Sequence, residues 1–357
     1  MRILVIKLDH MGDLLWATPA LRRLRRHYPD AHISLAVLPQ TAEVLAQNPD
    51  VDEVLFYVGS KQSPFYRETL DKLRKDPYDL AVVLGPVDRY NYLAYLCGAR
   101  ERIGFVYSRK PLSWMFNQIT LTEKILHPAD TSRIKDRWEK TPHEVDSMGQ
   151  LLDHLGVGWR EAPRPFLSVS PTDHAFAEEL LGPDFTKSNR IIGLQLTQKS
   201  YAWGWKSSHL MKLARRVLDL IPDSTIVVTY GPEEKTIASE LEPLIKEPRA
   251  KITGELPLGR WAALLSRCRL FISWDTGAIH VAAAQGVPVV DLFPSRGFEY
   301  CSRRFGPWGV PHRCLRLREE LGTGACESMI LEILLAVEDL LPLSALEATL
   351  PVTGDSL

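Results

Sequence analysis

The chain has 357 residues, 45% of them hydrophobic and 24% charged, with a net charge of −1. That is the composition of an ordinary globular protein, and the near-neutral charge excludes a global attraction to nucleic acid or to a membrane surface. The length exceeds one ordinary core and predicts two domains.

The opening run Ile3–Leu8 is short and rich in β-branched residues, the pattern of a buried parallel strand. Lys7, Asp9 and Asp13 within or just after it are unlike a secretory leader. Leu14, Ala17, Leu21 and Leu24 follow at helical spacing, and Arg22, Arg23, Arg25 and Arg26 gather near that helix's end, where positive charge suits the dipole. Then come a strand at His32–Val37, a helix at Thr41–Gln47, a strand at Glu53–Tyr57 and a helix at Phe65–Arg74. Leu80–Leu84 reads as a strand, Tyr90–Cys97 as a helix and Arg102–Val106 as a strand. Residues 107–142 are irregular, with basic residues among Trp114, Phe116 and Trp138, and His143–Leu155 is helical.

Alternation restarts after a Pro-rich stretch. Ile191–Leu196, Thr225–Tyr230, Leu270–Ser273 and Val287–Leu292 read as strands. Ser208–Leu220, Glu233–Ile245, Leu258–Ser266, Ala278–Gln285 and Met329–Leu341 read as helices. The pattern predicts two α/β, doubly wound domains facing a cleft. We divide the chain into a first domain at 1–170, a linker at 171–189, a second domain at 190–341 and a tail at 342–357.

The five cysteines (Cys97, Cys268, Cys301, Cys314, Cys326) form no C-x-x-C, which fits a reducing, cytoplasmic setting. No stretch reaches the about 18 apolar residues of a membrane span. The histidines are dispersed, so no metal site is expected. Asp50-Val51-Asp52 is formally a D-x-D, but Asn48-Pro49 before it marks a surface turn. Trp203 and Trp205 read as core before they read as sugar platforms.

Two strand-to-helix turns carry chemistry. In the first, Gly12 permits a tight turn and Asp13 lies at a helix start, where a carboxylate is held ionised to accept a proton. The alternative is a plain helix cap. In the second, Ser273-Trp274-Asp275-Thr276-Gly277, the residues Thr276 and Gly277 would offer backbone N–H groups to a diphosphate, with His280 one turn further on. The alternative makes Asp275 the cap and His280 a core histidine.

Lys7-Leu8-Asp9-His10-Met11-Gly12-Asp13 followed by Ala17-Thr18-Pro19-Ala20-Leu21 resembles the opening of the heptosyltransferase family, glycosyltransferase family 9. Asp275-Thr276-Gly277 with His280, then Gly286-Val287-Pro288-Val289-Val290, is similar to that family's second signature. The resemblance implies a GT-B fold and an inverting, metal-independent, cofactor-free transfer. The implied donor is ADP-heptose or a similar nucleotide sugar. The implied acceptor is a lipopolysaccharide core or related lipid-linked glycan at the cytoplasmic face of the inner membrane; the basic and aromatic residues of 107–142 are then either a solvated loop or a surface for its phosphorylated saccharide and lipid head, in peripheral contact with anionic membrane. It makes Asp13 the general base, Asp275 an acidic group facing the donor sugar, and Thr276 and Gly277 the diphosphate turn. Thr197 falls near a phosphate-contacting threonine, Glu234 near a ribose-binding glutamate, and Leu256 where the adenine is held.

Two departures bear on the donor. Trp203 stands where the family has a phosphate-binding lysine, leaving Lys199 or Lys206 as substitutes. Pro294-Ser295-Arg296 replaces a Gly-Pro-Thr, so Arg296 is a candidate cation for the diphosphate. They keep open a different nucleotide-sugar donor. A nucleotide-sugar-binding protein without activity is the remaining alternative, and the presence of both Asp13 and Asp275 argues against it.

Overall fold

The structure is a computed structural model that describes residues 1–60, 62–108, 111–130, 138–158, 163–183, 185, 190–318 and 323–341. The first sheet contains β1 (Arg2–Ile6), β2 (His32–Val37), β3 (Glu53–Phe56), β4 (Leu80–Val83), β5 (Glu101–Val106) and β6 (Glu123–Leu126) in the order β3-β2-β1-β4-β5-β6. The second contains β7 (Ile191–Gln195), β8 (Thr225–Thr229), β9 (Ala250–Thr253), β10 (Cys268–Trp274), β11 (Val289–Phe293) and β12 (His312–Arg316) in the order β12-β11-β10-β7-β8-β9. Every pairing is parallel, and the second order read from β9 is the winding of the first. Central strands such as β4 and β7 are buried along their whole length, as sheets covered by helices on both faces require. The expected pair of doubly wound units is therefore present. In each, the winding reverses between two central strands (β1 and β4, β7 and β10), which opens a crevice at their carboxyl ends.

Several elements differ from expectation. The helix expected at Thr41–Gln47 is a 3₁₀ segment, Pro39–Leu45. The single helix expected at Glu233–Ile245 is a chain of short turns, Pro232–Glu234, Lys235–Ala238, Ser239–Leu241 and Glu242–Ile245; Pro243, which lacks an N–H, cannot continue a longer helix. The irregular stretch contains a helix, Pro111–Thr120, and the edge strand β6. Strands β9 and β12 and the helices Gln198–Ala202 and Phe298–Phe305 were not anticipated. The stretch assigned to a linker, 171–189, opens with helix Pro171–Leu181. Its start is fixed by a reciprocal capping box between Ser170 and Asp173, and it packs on helix Leu258–Leu265 of the second half. Residues 184, 186–189 and the tail 342–357 lie outside the described residues.

The first helix, Met11–His27, joins the halves. Its Pro19 cannot donate to the Leu15 carbonyl; the Thr18 hydroxyl donates to that carbonyl instead, at 2.7 Å. The same hydroxyl oxygen accepts from the backbone N–H of Phe166 at 2.7 Å, which ties the connecting segment to the helix. This helix packs on Gly277–Ala284, and one buried cluster runs from Leu14, Ala17 and Leu21 to Ala278, Ile279 and Val281. The small alanines let two helix axes from different halves come close.

Candidate active site

Asp13 sits in the first turn of Met11–His27, half-buried. The cap position belongs to His10, and no side chain makes a capping bond there, so the plain-cap alternative for Asp13 does not hold. Burial raises the Asp13 pKa above the usual aspartate value; Asp9 and Glu144 push the same way, while Lys7 and His10 oppose them. A carboxylate poised in this way is a stronger base than an exposed one.

Around it lies a buried charge network. Lys7, at the end of β1, pairs with Asp9 at 2.9 Å. Burial pulls the Lys7 ammonium down, but Asp9, Asp13 and Glu144 outweigh it and leave its pKa above the ordinary lysine value. The Tyr90 hydroxyl reaches Asp9 at 3.0 Å and the Leu8 carbonyl, which fixes the loop between β1 and the helix. Glu144, from helix Glu144–Asp153, pairs with Arg304 of the second half and lies 3.5 Å from His127. Burial pushes the Glu144 pKa up, yet His127, Arg304 and Lys7 outweigh burial and hold it at about 2. Lys7 and Asp9 fell within the quoted opening run without a role, and Tyr90, Glu144 and Arg304 were missed. Glu144 and Arg304 lie 160 residues apart, so no local spacing could have linked them.

The second turn supplies the facing wall. Thr276, not Asp275, caps helix Gly277–Ala284, its hydroxyl accepting from the Ala278 N–H at 3.3 Å. Asp275 is thereby left half-buried beside the cap; burial raises its pKa and Lys199 opposes that. His280 is buried, its ring 4.4 Å from Trp16 edge to face, and its Nδ1 has no hydrogen-bond partner among the described residues. Burial, then His143 and Lys199, pulls its pKa down to about 3, so it is neutral at pH 7. It is not the satisfied core histidine of the alternative reading. Asp291 on β11 is wholly buried, and burial and Asp275 push its pKa well up.

The two turns touch. A Cβ built on Gly277 would meet the Met11 Cε at 2.9 Å, and one built on Gly12 would meet the His280 ring. The turn that carries Asp13 is thus packed, through Met11 and Gly12, against the amino terminus of Gly277–Ala284, whose positive end attracts an anion.

Of the candidate cations, the structure brings in Lys199. Its ammonium donates to the Asp275 carbonyl at 2.6 Å, which places it at the helix terminus. Lys206 is exposed at the start of helix Ser207–Leu220, and it makes no contact with the cluster among the described residues. Arg296 is exposed in the turn after β11, without an ion pair among the described residues. Thr197 caps Gln198–Ala202 and so presents Lys199. Glu234 is buried and accepts from the N–H groups of Gln198 at 3.0 Å and Gly231 at 3.1 Å, which joins the loops after β7 and β8. Leu256 lines a pocket of about 240 Å³ with Gln195, Tyr230, Gly231, Trp261 and Met11, at the carboxyl ends of β7 to β9 where such folds take ligands.

Asp50 accepts from the Nε of Arg22 at 2.6 Å and donates its N–H to Asn48, and Asp52 pairs with Arg25, so the D-x-D is a structural turn that holds Arg22 and Arg25 of the first helix. Trp205 is core, 5.5 Å from Trp274, while Trp203 is half-buried against the same cluster. Among the described residues, no helix is long and apolar enough to cross a membrane, and no three His, Cys, Asp or Glu side chains gather as metal ligands.

This arrangement has relatives. Lipopolysaccharide heptosyltransferase 3 of Escherichia coli is 23% identical over 382 residues, covering 97% of this chain and 99% of its own. A solved glycosyl transferase family 9 structure from Veillonella parvula superposes with a TM-score of 0.76 at 23% identity, covering 95% of this chain and 97% of that one. The E. coli ADP-heptose lps heptosyltransferase II structure gives 0.72 at 19%, covering 97% and 100%. At these identities the structural likeness is one of fold. The family model of glycosyltransferase family 9 (heptosyltransferase) matches residues 67–328, a span that takes in the turns bearing Thr197, Lys199 and Asp275. The chain therefore belongs to glycosyltransferase family 9, the heptosyltransferases, and is a glycosyltransferase.

Proposed function

We propose that the protein transfers a heptose from an ADP-heptose-type donor to a saccharide of a lipopolysaccharide core or a related lipid-linked glycan, with inversion and without a metal ion or other cofactor. The observation that carries this reading is the contact of the two turns: Met11 and Gly12, next to the raised-pKa Asp13, pack on Gly277 and His280, and Lys199 reaches the carbonyl of Asp275 in the same turn. The donor's base would enter the pocket lined by Leu256, and its diphosphate would lie between Lys199 and the helix terminus. Asp275 would face the sugar, with Thr197 and Glu234 shaping the neighbouring loops. The printed names of the relatives, a lipopolysaccharide heptosyltransferase and an ADP-heptose lps heptosyltransferase, support this donor and acceptor.

In the step we propose, the Asp13 carboxylate takes the acceptor hydroxyl's proton as that oxygen bonds to the anomeric carbon. The bond from that carbon to the diphosphate breaks, and its electron pair leaves with ADP. General-base help of this kind is worth roughly 10²–10⁴-fold. Lys199 and the helix terminus stabilise the departing charge. Such a reaction places the enzyme at the cytoplasmic face of the inner membrane, where a lipid-linked acceptor is presented.

A second reading keeps the reaction and changes the donor, because Trp203 occupies the family's lysine position and Arg296 follows β11. Titration with ADP, UDP and GDP, each with and without EDTA, separates the two. Tightest binding of ADP, indifferent to EDTA, supports the first reading, and a preference for UDP or GDP supports the second. Asp13→Asn then tests the base: loss of transfer with nucleotide binding intact is expected, and retained turnover would remove Asp13 from that role.

A further inference from the structure

Helix Pro111–Thr120 is built inside out. Apart from the exposed Gln118, its polar residues face the protein: Asn117 is fully buried, donates to Asp88 at 2.9 Å and accepts from Asn91 at 3.0 Å, and Ser113 also donates to Asp88. Its apolar residues face outward at i, i+3 and i+7, with Leu112 81% exposed, Met115 68% and Ile119 66%. No residue of the helix is charged. Beside it, helix Asp88–Leu96 exposes Tyr92 and Tyr95, and the Tyr92 ring lies 5.9 Å from Phe116. The usual surface helix turns its apolar stripe to the core, so this one is folded for an apolar medium on its outer side.

We propose that this face docks the protein on a lipid bilayer, inserting the Leu112–Met115–Ile119 stripe among acyl chains with the tyrosines at headgroup level. Three observations favour lipid over a second copy of the chain. A ten-residue helix is about 15 Å long, and its outer strip falls well short of the roughly 800 Å² per partner that a stable dimer buries. Exposed tyrosines and a tryptophan around an uncharged apolar stripe are the side chains that settle at a membrane interface. Two cations flank the tyrosines and suit anionic headgroups: Arg89, exposed one turn before Tyr92, and Arg102, whose guanidinium lies over Tyr95 and donates to the Thr120 carbonyl at 2.9 Å. The helix that bears the exposed tyrosines also reaches the candidate site, since its buried Tyr90 holds Asp9. A docked enzyme therefore presents its cleft rim to the bilayer, where a lipid-linked acceptor sits; that last point rests on the acceptor proposed above.

The test is flotation of the full chain with vesicles of phosphatidylethanolamine and phosphatidylglycerol, without donor or acceptor. Wild type is expected to float. The triple variant Leu112→Ser, Met115→Ser, Ile119→Ser is expected to float about tenfold less or weaker still, with unchanged melting temperature and ADP titration. If the triple variant melts early, the single variant Ile119→Glu replaces it. Wild type that stays with the unbound protein, or a variant that floats as well as wild type, overturns the proposal. So does a wild-type dimer in sedimentation that the triple variant abolishes. Because flotation needs no acceptor, it stands or fails independently of the transferase assay. With acceptor available, the triple variant should turn over a delipidated saccharide normally and a vesicle-embedded one poorly.

Discussion

Gly12 lies flat against the ring of His280, so that a Cβ at position 12 would sit 2.5 Å from the His280 Cδ2. His280 is itself wedged on Trp16 and cannot swing away. Gly12→Ala should therefore prise the two turns apart by a fraction of an ångström to an ångström, and misplacement on that scale costs on the order of 10²-fold in rate. Steady-state transfer assays should show kcat falling while ADP titration, which reads the second half, changes little. Activity within threefold of wild type would refute the close-approach account.

With Asp13 as the proposed base, transfer needs its carboxylate ionised, and the rate should fall as pH drops through its pKa. Because burial holds that pKa above the ordinary aspartate value, the acid limb of the pH–rate profile should lie above the range of an exposed aspartate. Lys7 favours the carboxylate, so Lys7→Met should move the limb to still higher pH. Glu144 disfavours it, so Glu144→Gln should move the limb down. A profile in which both variants shift the same way would contradict this electrostatic picture.

Lys199 and Lys206 can be told apart. A charged hydrogen bond at an anion site contributes about 1.5–3 kcal/mol, so Lys199→Met should weaken ADP binding by about tenfold or more. Lys206→Met, at an exposed position away from Asp275, should leave it within twofold or so. Calorimetric titration reads both, and equal losses would mean that Lys206 also reaches the diphosphate.

Thr18→Val should destabilise the fold by about 2–4 kcal/mol, since it leaves the Leu15 carbonyl and the Phe166 N–H without their partner. Thr18→Ser keeps the hydroxyl and should lie close to wild type in urea denaturation. A Val variant as stable as the Ser variant would show that Pro19 needs no such compensation.

The sequence patterns reveal the fold's interior far better than its margins. Central strands such as Ile3–Ile6 and Ile191–Leu194 are buried on both faces and read as unbroken apolar runs. Strands β6, β9 and β12 are sheet edges, carrying Lys124, Lys251 and Arg313 on half-exposed ribbons, and their charge makes them look like loop. Helix Pro111–Thr120 escaped notice because its apolar stripe faces the wrong way for a surface helix. The turns that carry Asp13 and Asp275, Thr276 and His280 were legible as strand-to-helix turns because such a turn is a local event. Glu144 and Arg304 meet only after both halves have folded, and Lys199 was separable from Lys206 only by its reach to the Asp275 carbonyl.

The shared winding of the two sheets has a consequence for how such enzymes diversify. No strand of one sheet pairs with the other, so the backbone ladders of the halves are independent. Recombination between Leu181 and Arg190 would cut no sheet and would exchange a whole half. The first helix would need another small-residue helix on which to lie, as it now lies on Gly277–Ala284, and helix Pro171–Leu181 and Glu144 would need new partners in place of Leu258–Leu265 and Arg304. The halves can thus be inherited separately, and new pairings of donor and acceptor can arise by shuffling genes before any pocket is rebuilt residue by residue.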